Sequence, residues 1–254
     1  MRAGVTSCAA HCNTGAMISL SQTDAIATLT LDRPATRNAF RIADWHALAD
    51  AVAGVRARVI VLRSAVPGVF SAGADVAEMA ALTTDEPARA TFRQTMRRAI
   101  DGVADAPAPV IALIEGGCFG AGVALAAAAD VRIAGPFASF GITPARLGIG
   151  YPAEDVARIG ALIGRGQLSR LLLSAAQIDN PEAARIGLVD TLGGADGAAL
   201  LAKHIATAAP GAVALLRATI RGKADAEDFD AAFAGAEFAE GLAAFREKRA
   251  PRFQ

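Results

Sequence analysis

Val69-Phe70-Ser71-Ala72-Gly73-Ala74-Asp75-Val76-Ala77-Glu78-Met79 runs from a buried-type apolar segment through four small residues into a helix start. Such a strand-to-helix turn can aim backbone N–H groups at an anion. The side chains of Ser71, Ala72, Gly73 and Ala74 are too small to block a ligand, and Asp75 and Glu78 suit the positive end of a helix dipole. The segment therefore predicts either an oxyanion site or an ordinary strand-to-helix turn.

A second segment repeats the pattern. Pro109-Val110-Ile111-Ala112-Leu113-Ile114-Glu115 reads as a buried strand and enters Gly116-Gly117-Cys118-Phe119-Gly120-Ala121-Gly122-Val123-Ala124-Leu125, a glycine-rich turn and helix start. Two such turns can each bring one N–H to a single oxygen, which is how a thioester carbonyl gathering enolate charge is stabilised. Ala72 and Ala121 are the donors this reading selects.

On these residues the chain resembles the crotonase, or enoyl-CoA hydratase/isomerase, superfamily. The resemblance rests on four features: the F-S-A-G-A-D-V-A-E-M run, the E-G-G-C-F-G-A-G turn with Asp130 after it, the segment from Phe140 to Tyr151, and the Phe245-Arg246-Glu247-Lys248-Arg249-Ala250-Pro251 tail. It extends from Ile18 to Phe253. It implies an α/β fold built as a coiled stack of β-β-α turns, followed by a C-terminal helical region that packs subunits into a homotrimer or a dimer of trimers. It also implies an acyl-CoA thioester substrate, whose coenzyme A is part of the substrate, with no separate cofactor. For that substrate the resemblance places Arg37, Asn38 and Ala39 near the adenine and Ser71, Ala74, Asp75 and Val76 along the pantetheine and thioester. Gly120 and Thr143 join the substrate-binding residues, and Phe245 and Lys248 approach the nucleotide, commonly from another subunit.

Composition agrees with this class. The chain has 254 residues, 53% of them hydrophobic, and 25 basic against 25 acidic side chains, so it can bury a sizeable core and carries no electrostatic footprint for nucleic acid. The longest weakly polar stretch, Gly116 to Ala129, is shorter than the roughly 20 apolar residues a membrane span needs. Three cysteines, Cys8, Cys12 and Cys118, do not make a disulfide framework and fit a reducing cytoplasm. Residues 1–16 lack the apolar core of a signal peptide and read as a disordered leader, and Cys8, His11 and Cys12 are too few and too local for zinc; no metal site is expected.

Strand patterns at Ile26–Leu31 and Val59–Leu62 alternate with helical patterns at Asp44–Val52 and Ala90–Val103. The alternation argues α/β, without separating a doubly wound sheet from a coiled stack. Residues 17–193 form the expected core with the acyl-CoA site, and 194–254 the helical region, with helices over Ala198–Ala209, Ala212–Ile220 and Asp228–Glu247. Asp130 is expected to cap or end a helix before the Val131-Arg132-Ile133 strand.

The resembling hydratases add water across a C=C bond with two glutamates. Aligning the turns without gaps puts Ala124 in the first glutamate's place and Pro144 in the second's. Neither can shuttle a proton. A site with an enolate stabiliser and no carboxylates suits a substrate that makes its own carbanion by losing CO2. The Thr143-Pro144-Ala145-Arg146-Leu147-Gly148-Ile149-Gly150-Tyr151 run looks nearest to the branch containing methylmalonyl-CoA decarboxylase, which implies a role for Tyr151 beside the acyl group, supplying or positioning a proton. That branch's decarboxylase retains a glutamate where this chain has Ala124. Glu154 and Asp155 are replacement acid–base candidates for an isomerase or hydratase, or helix-start charges. A protein that binds acyl-CoA without turnover is a further alternative.

Other classes fare worse. Gly148-Ile149-Gly150-Tyr151-Pro152-Ala153 matches G-x-G-x-x-A but has no acidic residue at the dinucleotide-binding distance. Ser71 lacks the first glycine of a nucleophile elbow. Cys118 has no histidine near it in sequence, and His11, His46 and His204 lie outside the motifs.

Overall fold

The structure, a computed structural model, describes residues 16–253. The leader assigned to residues 1–16, with Cys8, His11 and Cys12, lies outside the described residues except for Ala16. A hairpin of β1 (Ile18–Thr23) and β2 (Ile26–Leu31) opens the chain, followed by β3 (Ala39–Phe40) and α1 (Ile42–Ala53). Three coil turns come next. The first comprises β4 (Val59–Ser64), β5 (Val69–Ser71), β6 (Gly73–Ala74), α2 (Val76–Met79) and α3 (Glu86–Ala104). The second is β7 (Val110–Ile114), β8 (Gly117–Phe119) and α4 (Ala121–Ala128), and the third β9 (Val131–Ala134), β10 (Ser139–Gly141) and α5 (Ala153–Ser174). Then follow β11 (Gln177–Asp179), α6 (Asn180–Arg185) and β12 (Thr191–Leu192), and the helical region α7 (Ala195–Thr207), α8 (Pro210–Ile220), α9 (Ala226–Ala232) and α10 (Ala236–Glu247).

Each coil turn lays one strand in each of two sheets. The larger sheet has the order β1-β2-β4-β7-β9-β12, the smaller β11-β10-β8-β5, and β3 pairs with β6 alone. Within the coil the pairings are parallel, with Leu29 opposite Leu62, Val61 opposite Ile111 and Cys118 opposite Phe140. This is the coiled stack of β-β-α turns, and it settles the choice the sequence pattern left open.

The inner strands β4 and β7 of the larger sheet are apolar on both faces, as parallel strands covered on both sides must be. Leu29, Ile60, Leu62, Val110, Ala112 and Ile114 face the main core with Trp45, Phe70, Ile100 and Phe140. The alternate residues Val59, Val61, Ile111, Leu113 and Ile133 pack on Ala198 and Ala202 of α7. Arg217 of α8 and Arg221 just after it bind the Asp130 carboxylate, which also accepts from the Val110 N–H at 2.8 Å. Asp130 is thus no helix cap: α4 ends at Ala128, and the carboxylate ties the helical region to the second coil turn.

The expected single helix from Asp228 to Glu247 is two helices. Gly235 takes extended backbone (φ −78°, ψ 151°) as the residue before α10, and glycine's wide conformational freedom makes it a poor helix interior. Between α8, α9 and α10 lies an apolar cleft of about 870 Å³ walled by Leu216, Phe229, Phe233, Phe238, Leu242 and Phe245. Among the described residues no single helix is long and apolar enough to cross a membrane, and no group of three or more His, Cys, Asp or Glu side chains is placed to hold a metal.

Candidate active site

The first donor segment is held from below by Asn38. It is fully buried at φ 54°, a left-handed conformation asparagine tolerates better than most residues. Its Oδ1 accepts from the Arg33 N–H at 2.7 Å, and its Nδ2 donates to Ser64 Oγ at 2.8 Å and Phe70 O at 3.0 Å. Those bonds occupy the Asn38 side chain in bracing the turn. Ala39 is buried in β3, while Arg37 is exposed.

Ser71, also fully buried, donates its hydroxyl to Asn38 O at 2.8 Å and accepts from the Gly73 N–H at 3.0 Å. It is a brace within the turn rather than a group facing ligand. Between β5 and β8 the register slips at Phe70, where Val69 pairs with Gly117 and Ser71 already pairs with Cys118. Such bulges re-aim the chain beside active sites.

The structure corrects the first expected donor. The Ala72 N–H is given to Arg37 O at 2.9 Å, so it is not available to an oxyanion. In the β3–β6 ladder Phe40 faces Ala74, and Asp75 N donates to Phe40 O at 2.9 Å. A parallel ladder engages the residues flanking the one directly opposite, so Ala74 turns its own N–H away from β3. Asp75 closes the segment by accepting from the Ala77 N–H at 2.9 Å as the cap of α2, and Val76 is exposed beyond it. Glu78 does more than complement a dipole: its carboxylate accepts from Ile42 N at 2.7 Å, pinning α2 to the start of α1.

The second expected donor lies at a helix start. Ala121 is the first residue of α4, where N–H groups have no partner inside the helix. Gly73 brings the two segments together: with φ 94°, a Cβ on it would lie 2.8 Å from Phe119 O and 2.9 Å from Ala121 N. Only a residue without a side chain permits this approach. Gly122 is similarly pressed, its hypothetical Cβ 3.0 Å from Ser71 O. From Gly122 to Ala128 helix α4 is buried on every face, and Ala124 is completely so.

Around the acyl side, Thr143 is half-buried and precedes a short 3-10 turn opened by Pro144, itself buried. Neither Ala124 nor Pro144 carries a side-chain group able to move a proton. The Tyr151 hydroxyl, expected beside the acyl group, donates to Gly120 O at 2.8 Å. Burial pushes its pKa up and the nearby Asp155 carboxylate adds to that, against a bond from the Ala124 backbone, so the phenol stays protonated.

The two carboxylates after Tyr151 part ways. Asp155 is 1% exposed and accepts from Arg97 at 2.8 Å and Arg158 at 3.1 Å, while Asp101 bridges the same two arginines. Burial pushes the Asp155 carboxyl up, and the two guanidinium groups oppose it. The network pins the start of α5 to α3. Glu154 is exposed in a cleft of about 80 Å³ with Arg93, Gln94 and Arg97, whose wall includes neither Ala74 nor Ala121. The acid–base role expected for Glu154 therefore finds no support in its position. Burial raises the Cys118 thiol well above its ordinary range, which removes it as a nucleophile. Phe245, 82% exposed, and Lys248 sit at the end of α10, with Phe245 on the apolar cleft rather than at the donor turns.

A coiled ββα stack whose consecutive turns present backbone donors at the ends of parallel strands is the crotonase fold. The enoyl-CoA hydratase/isomerase family model matches residues 21–254, and the chain belongs to that family. It is 33% identical over 251 residues to a protein of Arabidopsis thaliana named "Probable enoyl-CoA hydratase 2, mitochondrial", covering 90% of this chain and 81% of that one. Among solved structures, an enoyl-CoA hydratase/carnithine racemase from Magnetospirillum magneticum superposes with a TM-score of 0.87 at 34% identity, over 94% of this chain and 95% of that one. The enoyl-CoA hydratase from Bacillus anthracis gives 0.86 at 29% identity, over 93% and 98%.

Proposed function

We propose that the chain binds an acyl-CoA thioester with the carbonyl oxygen between the N–H groups of Ala74 and Ala121, and stabilises an enolate there. The observation that carries this is the close approach at Gly73, which sets β6 against the Ala121 N–H. Donors about 2.7–3.1 Å from the developing oxyanion act most strongly where water is excluded. Coenzyme A enters as part of the substrate, and the reading needs no further cofactor. The family membership and the acyl-CoA names of the relatives support the substrate class.

The finer reaction is loss of CO2 from an alkylmalonyl-CoA, as in the branch containing methylmalonyl-CoA decarboxylase. The bond from the α-carbon to the carboxylate breaks, CO2 leaves, and the electron pair moves into the thioester carbonyl as the enolate. A proton from water then restores the C–H bond. This reaction needs no paired carboxylates, which fits Ala124 and Pro144. Hydration is the second reading, favoured by relatives named as hydratases. Incubation with crotonyl-, β,γ-enoyl-, methylmalonyl- and ethylmalonyl-CoA, followed by mass, separates them: loss of 44 Da supports decarboxylation, gain of 18 Da supports hydration, and failure to bind any thioester overturns the acyl-CoA reading. The apolar cleft between α8, α9 and α10 supports assembly into a trimer or a dimer of trimers.

A further inference from the structure

We propose that Tyr151 is a positioning residue, its hydroxyl latching the Gly120–Ala121 peptide so that the Ala121 N–H is aimed at the acyl oxygen. The proposal rests on the reading of Ala121 as a donor to that oxygen. A trans peptide is planar and its C=O and N–H point in opposite directions, so whatever fixes Gly120 O also fixes the Ala121 N–H. Gly120 O accepts two bonds, from the Tyr151 hydroxyl at 2.8 Å and from the Val123 N–H at 3.0 Å. Gly120 N donates to Gly141 O at 2.9 Å, which holds the other side of the residue.

The latch answers a local weakness. Gly120 has φ 51° and ψ −125°, a combination open to glycine and closed to other residues, and glycine resists rotation of the next peptide plane least. A flip there would turn the Ala121 N–H out of the site. Tyr151 itself is well anchored: its ring packs on the main core, and the Asp155–Arg97–Arg158 network holds the helix that follows it. Two donors on one carbonyl also polarise the peptide, which strengthens the N–H as a donor.

Tyr151 is the one tyrosine of the chain, so biosynthetic replacement of tyrosine by 3-fluorotyrosine alters this hydroxyl alone. The probe is butyryl-CoA carrying ¹³C at the thioester carbonyl, observed by difference infrared spectroscopy. Wild type is expected to lower the carbonyl stretching frequency on binding. Tyr151→Phe loses a measurable part of that downshift while its dissociation constant for coenzyme A stays within about twofold, because free coenzyme A has no acyl oxygen for the Ala121 N–H to meet. The fluorinated phenol, a stronger donor, increases the downshift. A folded Tyr151→Phe protein whose carbonyl band matches wild type overturns the latch. If that variant does not fold, an unchanged band in the fluorotyrosine protein overturns it instead. Absence of any downshift in wild type overturns the Ala121 reading beneath the proposal, an outcome distinct from the other two.

Discussion

Replacing Gly73 by alanine tests the geometry of the proposed site most directly. The added Cβ would meet Phe119 O at 2.8 Å and Ala121 N at 2.9 Å, whereas ordinary contact begins at 3.4 Å. Both neighbours are backbone, so strand β6 and the start of α4 must separate by about half an ångström. Alanine at φ 94° adds about 1–3 kcal/mol of backbone strain. Misplacing a catalytic group by about 1 Å costs on the order of 10²-fold, and losing one oxyanion donor on the order of 10²–10³-fold. Gly73→Ala should therefore lower kcat/KM by about tenfold to 10³-fold on the thioester that is turned over, and lower stability by about 1–3 kcal/mol in urea unfolding. Gly102 is the control: it lies inside α3 with open space around it, so Gly102→Ala should leave kcat/KM alone and add up to about 1 kcal/mol of stability. A folded Gly73→Ala protein with kcat/KM within twofold of wild type would refute the convergence of the two turns.

Crotonyl-CoA hydration should run about 10²–10⁴-fold slower for each missing glutamate than in a relative that carries both, as followed by loss of the enoyl absorbance; ordinary enzymatic rates would reopen the search for an acid–base pair. Arg217→Ala should destabilise the protein by about 1–3 kcal/mol in urea, because it removes one of the two guanidinium groups on the half-buried Asp130 and the side-chain donor of the Ala106 carbonyl, and Arg217→Lys should not restore the loss, since lysine lacks the fork that reaches Asp130, Ala104 and Ala106 together. Arg249 and the Arg252 N–H hold the Glu240 carboxyl at about 2, below its ordinary 4.5. A carboxyl lowered in the folded state stabilises the tail above its ordinary pKa and loses that help as pH falls through the lowered one. The Arg252 amide should thus stay protected from hydrogen exchange near pH 5 and lose protection toward pH 2, and release complete by pH 4 would contradict the pairing.

Much of the fold could be read because its signals are local. Buried strand, glycine turn and helix start occur in order within Val69–Met79 and again within Pro109–Leu125, and the coil places those two segments side by side. Choosing Ala72 over Ala74 failed for a non-local reason. Which N–H is taken depends on Arg37 and the two-residue strand Ala39–Phe40 after it, and no spacing within the turn reveals those partners. The bracing role of Asn38 was hidden for the same reason, since the groups that occupy its amide lie 26 and 32 residues away. The fate of Asp155 is decided by Arg97 on another helix, whereas its neighbour Glu154 turns outward on the same helical turn. The break in the last helix did carry a signal, Gly235, which the apolar pattern around it masked.

The bridging of two sheets by every coil turn has a metrical consequence. Adjacent strands stand about 4.8 Å apart, a distance fixed by backbone hydrogen bonding and indifferent to side chains. Two N–H donors that each approach one oxygen to about 2.9 Å, at a roughly tetrahedral angle, stand about 4.7 Å apart. The two segments proposed as donors leave the neighbouring strands β5 and β8. The pitch of the coil is therefore itself a ruler of the length that a two-donor cradle requires, so substitutions along the rest of the pocket can vary the acyl group while the gauge of the cradle is kept.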